Sequence, residues 1–284
     1  MAGTLAHPVV VLVLGASTPV GCYFLQRASQ ISGLHLIAVS RHPFASAADG
    51  QLTWLQHDLD HGPVPTEATA LVSFGPVGLA ATQVQACAAI GRVVALSSAS
   101  TCFKTDSPDP AEREQMARIV AAEEALTRLC EQRSAALSLF KTTMIYGGSS
   151  DRNVQRLGAL IERLPLVPVT GKGLRAPVHA DDLAELALRV LGLDADARGT
   201  WLLGGGERLS YPDMLRRIAK SRGRHARLVL LPLWSLRPVL ALARALGRLR
   251  DVQPAMLSRQ AVDLVVDDSP ARQQLGWNPR RFSP

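Results

Sequence analysis

The segment Gly15-Ala-Ser-Thr-Pro-Val-Gly21 has the residue types and spacing of a phosphate-binding turn. It joins the apolar run Val9–Leu14 to a stretch, residues 20–29, that we predict to be helical. The two glycines would allow a tight turn and close packing of the helix on the strand, and the free N–H groups at the helix N-terminus would face a pyrophosphate. Thr18 stands where the usual pattern has its middle glycine. A purely structural turn is therefore the alternative interpretation. In this strand–turn–helix context we predict a dinucleotide-binding site.

The end of the second predicted strand, residues 34–39, indicates which dinucleotide is preferred. An acid at this point usually binds the ribose 2′-hydroxyl of NAD, whereas this chain has Ser40-Arg41-His42. A guanidinium can pair with a 2′-phosphate, and there is no carboxylate to repel it. We therefore predict NADP as the preferred cofactor and NAD as the second choice, with a solvated surface arginine as the alternative. The predicted cofactor contacts are Gly15, Ser17, Thr18, Pro19, Val20, Gly21, Ser40, Arg41, Asp58, Leu59, Phe74, Gly75, Ser97 and Thr143.

The order of apolar and amphipathic segments predicts an α/β fold built on a doubly wound parallel sheet. Short apolar runs predict strands at 9–14, 34–39, 52–56, 70–74, 92–96 and 136–145, and amphipathic stretches predict helices at 20–29, 79–90 and 110–133. Such runs are typical of strands covered on both faces, and strand–helix alternation implies right-handed crossovers. Residues 1–150 would form the nucleotide-binding domain, to which 177–205 would return, and 151–284 would be mainly substrate-binding.

Several short motifs follow one another along the chain in a fixed order. After the glycine turn come His57-Asp58-Leu59, Ser97-Ser98, Thr143-Met-Ile-Tyr-Gly147, Pro177-Val-His-Ala-Asp-Asp-Leu-Ala184 and Leu275-Gly-Trp-Asn-Pro279. Together they resemble the extended short-chain dehydrogenase/reductases, specifically the NAD-dependent epimerase/dehydratase family, over about residues 9–279. The resemblance implies a Rossmann-type domain with a small C-terminal α/β substrate domain, and a nicotinamide-dependent oxidoreductase or epimerase activity.

The predicted helix 110–133 departs from that family. Members with full activity carry Tyr-x-x-x-Lys there: the tyrosine transfers a proton, and the lysine lowers its pKa and holds the ribose. In the register set by Glu123-Glu-Ala-Leu126, these positions hold Gln115 and Ile119. Neither side chain can deliver a proton or lower a neighbour's pKa by its charge. Any acid/base chemistry would instead use Ser98, Ser100 or Lys104, with a solvated loop lysine as the alternative for the last.

Two residues match positions that contact substrate phosphates in the sugar-nucleotide epimerases, namely Asn153 and Arg175. A helix N-terminus beside a guanidinium would form an anion site. The alternatives are that Asn153 merely caps the helix and that Arg175 forms a salt bridge to Asp181 or Asp182. His179 is expected to be structural rather than a general base.

Positive charge is concentrated in the last third of the chain. Residues 201–284 carry 15 Lys+Arg against 6 Asp+Glu, whereas residues 1–200 carry 16 against 18. This imbalance favours an anionic partner, although an ordinary arginine-rich surface would also produce it. Aromatic residues make up only 5% of the chain and no nucleic-acid motif is present, so no nucleic-acid partner is expected. If residues 238–250 are helical, Arg237, Arg244 and Arg248 form a basic stripe, which would cover the substrate domain or lie against an acidic bilayer or a lipid-linked substrate.

The cysteines and the hydropathy favour a cytoplasmic protein, and the basic stripe adds a peripheral contact with the inner membrane surface as an alternative. Cys22, Cys87, Cys102 and Cys130 have neither paired nor metal-binding spacing, so reduced thiols and no metal site are expected. No apolar run approaches the ~20 residues of a spanning helix, and no signal-peptide pattern opens the sequence.

Two classes of function fit these patterns. The first is an NAD(P)-binding oxidoreductase or epimerase/dehydratase-like protein, which would act on a phosphate-bearing, sugar-nucleotide-like small molecule through non-standard acid/base residues. The second is a catalytically silent dinucleotide-binding protein with a regulatory or assembly role. The sequence sets neither the substrate nor the oligomeric state.

Overall fold

The computed structural model describes residues 9–43, 50–148, 151–164, 166–192, 197–236 and 257–284. The basic stretch 237–250, predicted to be an amphipathic helix, lies outside these residues. Among the described residues, no helix is both long and apolar enough to cross a bilayer.

A seven-stranded parallel sheet forms the centre of the molecule. The strands are β1 (Val9–Leu14), β2 (Leu34–Ser40), β3 (Leu52–Gln56), β4 (Ala70–Ser73), β5 (Arg92–Ser98), β6 (Ala136–Thr142), β7 (Ile145–Tyr146), β8 (Val167–Val169), β9 (Leu174–Arg175), β10 (Val178–His179), β11 (Gly199–Leu203), β12 (Leu209–Ser210) and β13 (Leu228–Leu230). The main sheet has the order β11-β6-β5-β4-β1-β2-β3, so the winding direction reverses between β1 and β4. The predicted doubly wound parallel sheet is confirmed, and its switch point lies at the carboxyl ends of β1 and β4.

Helices cover both faces of this sheet. The described helices are α1 (Pro19–Ala28), α2 (Val77–Ala86), α3 (Pro110–Gln132), α4 (Arg152–Arg163), α5 (Ala180–Leu191), α6 (Tyr211–Ser221) and α7 (Ser269–Leu275). Of these, α1, α5 and α7 pack on one face of the main sheet and α2 and α3 on the other. Alternate residues of β1 enter different cores, because strand side chains point to opposite faces. Val11 and Val13 join the core under α1 and α5, while Leu12 and Leu14 join the core under α2 and α3. Burial on both faces explains why the strands appear in the sequence as continuous apolar runs.

A third, smaller core forms around α4 and α6, with Tyr146, Met214 and Phe282 among its buried residues. Two short parallel pairs, β7–β10 and β8–β13, and the antiparallel pair β9–β12 surround it. The chain leaves this core to supply α5 and β11 to the main sheet, where β11 pairs with β6.

Two predicted elements differ most from the structure in their ends. The sixth strand, predicted to span 136–145, stops at Thr142, and Ile145–Tyr146 form the separate strand β7, which pairs with β10 and not with the main sheet. The helix predicted at 79–90 is α2, which begins after Pro76 and ends where Cys87 adopts an extended conformation.

Candidate dinucleotide site and substrate cleft

The turn after β1 requires glycine at both of its ends. Gly15 has a φ of +68°, and a Cβ there would lie 2.7 Å from the Gly75 nitrogen. A Cβ on Gly21 would lie 2.3 Å from the Gly15 carbonyl oxygen. The first glycine therefore permits the left-handed turn, and the second permits α1 to approach the strand.

Thr18 stands in place of the middle glycine of the usual pattern and closes the turn with its side chain. Its hydroxyl donates to the Gly15 carbonyl oxygen at 2.7 Å and accepts from the Gly21 N–H at 3.1 Å. Thr18 is thus the N-cap of α1, and Pro19, which lacks an N–H, occupies the first turn at no hydrogen-bonding cost. The cap occupies the Gly21 N–H, so one backbone N–H fewer at the start of α1 is available to bind an anion.

The end of β2 is tied to the glycine turn. The buried Ser40 hydroxyl donates to the Ser17 hydroxyl at 3.2 Å and accepts from the His42 N–H at 3.1 Å. Arg41 projects as an exposed residue whose guanidinium pairs with no carboxylate among the described residues, while its carbonyl accepts from Gln56. The arrangement places an exposed cation beside the turn.

The floor of the crevice is formed by residues that follow β3 and β4. Asp58 caps the short 3₁₀ turn Leu59–His61 by accepting from the Asp60 N–H at 3.1 Å. Phe74 is buried against Phe24, with ring centroids 5.3 Å apart. Gly75 differs from Gly15, because no atom lies within 4 Å of the position its Cβ would take. The switch point therefore has open space beside a backbone that could closely approach a ligand.

A buried ion pair, which sequence reasoning missed, lies beneath this edge of the sheet. Glu123 of α3 accepts from the Ser97 hydroxyl at 2.5 Å and from the Lys141 ammonium at 2.9 Å. The sequence contained one signal for this ion pair, because Glu123 is an acid on the apolar face of the predicted helix. In the sequence comparison, Glu123 served only to align this helix with the family motif. Ser97, a predicted cofactor contact, thus positions α3 against β5, and Lys141 joins α3 to β6.

The two positions that match the family tyrosine and lysine carry no acid or base. Gln115 is exposed near the start of α3, and Ile119 packs against the core under α2 and α3. Nearby, the Ser98 hydroxyl accepts from the Ser100 N–H at 3.1 Å and caps the 3₁₀ turn Ala99–Cys102. That bond uses an acceptor lone pair of Ser98 and leaves its proton available to a substrate oxygen.

Lys104 is part of an ionic cluster rather than a solvated loop lysine, so that alternative is wrong. Its ammonium lies 3.2 Å from one oxygen of Glu112, whose other oxygen accepts from Ser107 at 2.6 Å and from Arg259. Burial acts to raise the pKa of Glu112, but the Ser107 hydrogen bond and the two cations outweigh it and lower that pKa. The cluster joins the loop after β5 to the C-terminal part of the chain.

The start of α4 carries a carboxylate of its own. Asp151 is buried and accepts from the Asn153 N–H at 2.8 Å and from the Val154 N–H at 3.1 Å, so it is the N-cap. The alternative that Asn153 caps the helix is therefore wrong; its side chain donates to the Ile145 carbonyl at 2.8 Å. An anion bound at this helix start would meet the Asp151 carboxylate, which the sequence-based argument did not consider.

Arg175 is buried and bonded to backbone carbonyls. Its guanidinium donates to Leu174 and Val262 at 2.7 and 2.8 Å and to Arg259 at 2.8 Å, and it lies over the ring of Tyr211. Burial lowers the pKa of the guanidinium. In this arrangement Arg175 joins β9 to the segment that carries Arg259, and a substrate phosphate would have to compete with those carbonyls.

Asp181 and Asp182 pair with other arginines, so the alternative of a salt bridge to Arg175 is also wrong. Asp181 is 2.6 Å from Arg27 and 2.7 Å from Arg280, and Asp182 is 2.7 Å from Arg280. Hydrogen bonding to Arg27, assisted by Arg280, lowers the pKa of Asp181 to about 2. These two carboxylates and His179 lie close enough to ligate a cation, but the arginines already neutralise them.

His179 has a structural position. Its Nδ1 accepts from the Asp181 N–H at 3.1 Å and caps α5, and its ring makes an edge contact with Tyr146, the centroids 5.0 Å apart. Burial, with the nearby Arg280, lowers the pKa of the imidazole. A neutral ring that accepts at Nδ1 carries its proton on Nε2.

The carboxyl edge of the sheet thus gathers most of the predicted cofactor residues. The turn after β1, Ser40 at the end of β2, Gly75 after β4, Ser97 and Ser98 at the end of β5 and Thr143 after β6 all lie at this edge, because the strands are parallel. Asn153 follows at α4, while Arg175 lies in the small sheet beside it. This is the geometry in which doubly wound folds bind dinucleotides.

The whole chain is similar to several solved structures. UDP-glucuronic acid 4-epimerase from Bacillus cereus, in complex with UDP-glucuronic acid and NAD, has 13% identity and a TM-score of 0.69, covering 96% of this chain and 95% of that one. UDP-N-acetylglucosamine 4-epimerase from the same organism has 15% identity and a TM-score of 0.66, covering 96% and 92%. The terminal R domain of the myxalamid PKS-NRPS pathway has 14% identity and a TM-score of 0.71, covering 99% and 89%.

No protein-family model and no curated protein sequence matches this chain. At identities this low the structural likeness establishes the fold and leaves the reaction open. The predicted Rossmann-type architecture is confirmed over nearly the full length of the chain. The protein has the α/β fold of the NAD-bound nucleotide-sugar epimerases.

Proposed function

We propose that this protein is an NAD(P)-dependent oxidoreductase or epimerase/dehydratase-like enzyme whose substrate is a small, phosphate-bearing, sugar-nucleotide-like molecule. The observation that carries the proposal is the crevice at the switch point, where the Gly15–Gly21 turn faces the open space beside Gly75. Bound there, the nicotinamide would accept or donate a hydride. One neighbour, the UDP-glucuronic acid 4-epimerase, was solved with NAD and UDP-glucuronic acid, which supports both the cofactor class and the substrate class.

We further propose that NADP is preferred over NAD. The support is the exposed guanidinium of Arg41, which pairs with no carboxylate in the described part of the chain, and the absence of an acid at Ser40. The UDP-glucuronic acid 4-epimerase was solved with NAD, so this preference would distinguish the present chain from that protein.

Five residues of this chain are proposed to act on the substrate. Ser98 would donate a hydrogen bond from its hydroxyl to a substrate oxygen, and Ser100, two residues further on, could do the same. Lys104 would supply positive charge from its cluster with Glu112 and Arg259. Asn153 and Arg175 remain proposed substrate contacts. To bind a substrate, each side chain would first have to break its hydrogen bonds to backbone carbonyls.

A catalytically silent regulatory or assembly protein is the second candidate. The observation that favours it is the exposed Gln115 and the core-packed Ile119 at the positions of the family acid and its lysine. A silent protein would bind the dinucleotide with the same turn but would show no hydride exchange with any sugar nucleotide.

We also propose that the protein works in the cytoplasm, in contact with the inner face of the membrane. The four cysteines are free thiols, as a reducing compartment maintains them. The positive charge of the last third of the chain supports attraction to an acidic surface.

The cofactor proposal is tested by Gly75→Ala, with NADPH binding followed by fluorescence titration. Nothing in the protein obstructs a Cβ at Gly75, so the variant should fold and melt as the wild type does. The methyl group would occupy the crevice, so NADPH affinity should fall by about tenfold or more, since ~1.4 kcal/mol is a factor of ten. Gly91→Ala is the matched control, because its Cβ is equally unobstructed but lies before β5, at the opposite edge of the sheet. Equal NADPH binding by all three proteins would refute the site.

A further inference from the structure

Exposed apolar side chains are concentrated around the small β8–β13 pair. Among the described residues, Trp234 is the most exposed large apolar residue, at 76%, followed by Leu230 at 59%, with Leu166 at 53%. Leu166 immediately precedes β8, Leu230 ends β13, and Trp234 lies one turn further on. Leu55 and Val262, the other exposed large apolar residues in the described part of the chain, lie on other elements.

The inner side of the same pair is fully packed, so these residues are not a loosely folded edge. Val167 and Val169 are buried in the core around α4 and α6, with Leu228 packed against it. The Val167 N–H donates to the Arg227 carbonyl at 2.9 Å, and the Leu231 N–H donates to the Val169 carbonyl at 2.9 Å. The pair therefore holds the exposed side chains on a rigid support.

Positive charge lies close to these residues in the sequence. Residues 222–236 contain three arginines, one histidine and no aspartate or glutamate. Within the described part, Arg163, Arg224 and Arg227 are exposed and form no ion pair with a described carboxylate, whereas Arg222 is neutralised by Glu162. Arg227 directly precedes β13, and Arg163 lies three residues before Leu166.

We propose that this surface, defined by Leu166, Leu230, Trp234, Arg224 and Arg227 and termed the Trp234 surface, docks onto a bilayer that contains anionic lipid. An indole favours the boundary between headgroups and acyl chains, and leucines beside it would enter the outer apolar layer. Arginines at the rim would be attracted by anionic headgroups. A second copy of the chain is disfavoured as the occupant, because a symmetric contact would bring the unpaired arginines together.

The test is co-sedimentation with phosphatidylcholine vesicles that contain or lack phosphatidylglycerol, at low and high salt. The wild type should bind only the anionic vesicles and should be released by salt, which screens the arginines. The double variant Leu230→Ser/Trp234→Ser should lose most of this binding, and Arg224→Gln/Arg227→Gln should weaken it by about tenfold or more. Leu55→Ser is the matched control, since Leu55 is an exposed leucine on β3, the far edge strand of the main sheet. It should bind as the wild type does.

Tryptophan fluorescence gives an independent readout of the same contact. Trp201 and Trp277 are buried, so a blue shift on addition of anionic vesicles should come mainly from Trp234 and disappear in Trp234→Phe. Absence of wild-type binding at low salt, or undiminished binding by the Leu230→Ser/Trp234→Ser variant, would overturn the proposal. A concentration-dependent dimer that this variant abolishes, without vesicle binding, would assign the surface to a second copy instead. NADPH titration of each variant shows whether the cofactor still binds. A failure of the membrane proposal can therefore be distinguished from a failure of the cofactor proposal.

Discussion

Arg259 forms an ion pair with Glu112 and so joins the C-terminal part of the chain to the first turn of α3. The same carboxylate pairs with Lys104, so two cations from distant parts of the sequence share one acid. The carbonyl of Arg259 also accepts from Arg175, which extends the connection to β9. The loop after β5, α3 and the C-terminal part of the chain are therefore connected by a network centred on a single side chain.

Replacement of Glu112 by glutamine should destabilise the protein by about 3 kcal/mol, because it leaves two largely buried cations without their shared partner. The folded-state pKa of Glu112 is lowered, so the stabilisation is present above the unfolded pKa and is lost as the pH falls through the folded value. Urea unfolding of wild type and Glu112→Gln should therefore differ at neutral pH and converge in acid. Glu114→Gln, an exposed neighbour paired only with Arg118, should unfold as the wild type does.

Arg41→Ala should weaken NADPH binding by about ten- to a hundredfold and leave NADH binding unchanged, since only NADPH carries the 2′-phosphate. Fluorescence titration with both nucleotides measures the ratio of affinities directly. Arg118→Ala removes an exposed arginine of α3 and should alter neither affinity. Equal wild-type affinity for the two nucleotides would show that Arg41 does not select the cofactor.

Catalysis, once a substrate is found, should not depend on the position of the family tyrosine. Gln115 has no proton to exchange, so Gln115→Ala should change the rate of hydride transfer little. Ser98→Ala or Lys104→Met should lower it by more than about tenfold, or ~1.4 kcal/mol of barrier, if either group supplies the missing function. Activity that appears only in Gln115→Tyr/Ile119→Lys would show that the natural protein binds its cofactor without turnover.

The double variant Gln115→Tyr/Ile119→Lys should be less stable than the wild type. Ile119 packs against the core under α2 and α3, so a lysine there would bring a charge to a largely apolar surface. We expect Ile119→Lys alone to lower the melting temperature, whereas Gln115→Tyr, at an exposed position, should not. Ile119→Met supplies the control for side-chain length without charge.

Asp181 should make stability pH-dependent in the acid range. Its folded pKa is about 2, below the ordinary value of 3.8, so its ion pairs with Arg27 and Arg280 stabilise the fold above about pH 4 and fail as the pH approaches 2. Asp181→Asn should cost about 2 kcal/mol at neutral pH and flatten this part of the stability profile. Asp106→Asn, which removes an exposed loop carboxylate, should leave the profile unchanged. Identical acid denaturation of Asp181→Asn and wild type would contradict the assignment.

The sequence predicted most of the main sheet, because the inner strands β1, β4, β5 and β6 are buried on both faces and so appear as apolar runs. It also predicted the glycine turn, whose geometry depends on residues within a few positions of one another. It did not predict the Glu112–Arg259 pair, since no local pattern indicates that residues so far apart in the chain will meet. Asp151 could have been recognised as the cap of α4, because aspartate directly before a helix is a strong capping signal.

The position of β11 bears on how the chain folds as it is synthesised. β6 has one neighbour in β5 and acquires the second only when β11 arrives, about sixty residues later in the chain. At ribosomal rates of about 5–20 residues per second, the β6 edge would stay unpaired for roughly 3–12 s. An apolar strand left open for that long is a template for wrong pairing. Expression at lower temperature or with added chaperone capacity should therefore raise the soluble yield more than changes on the finished surface would.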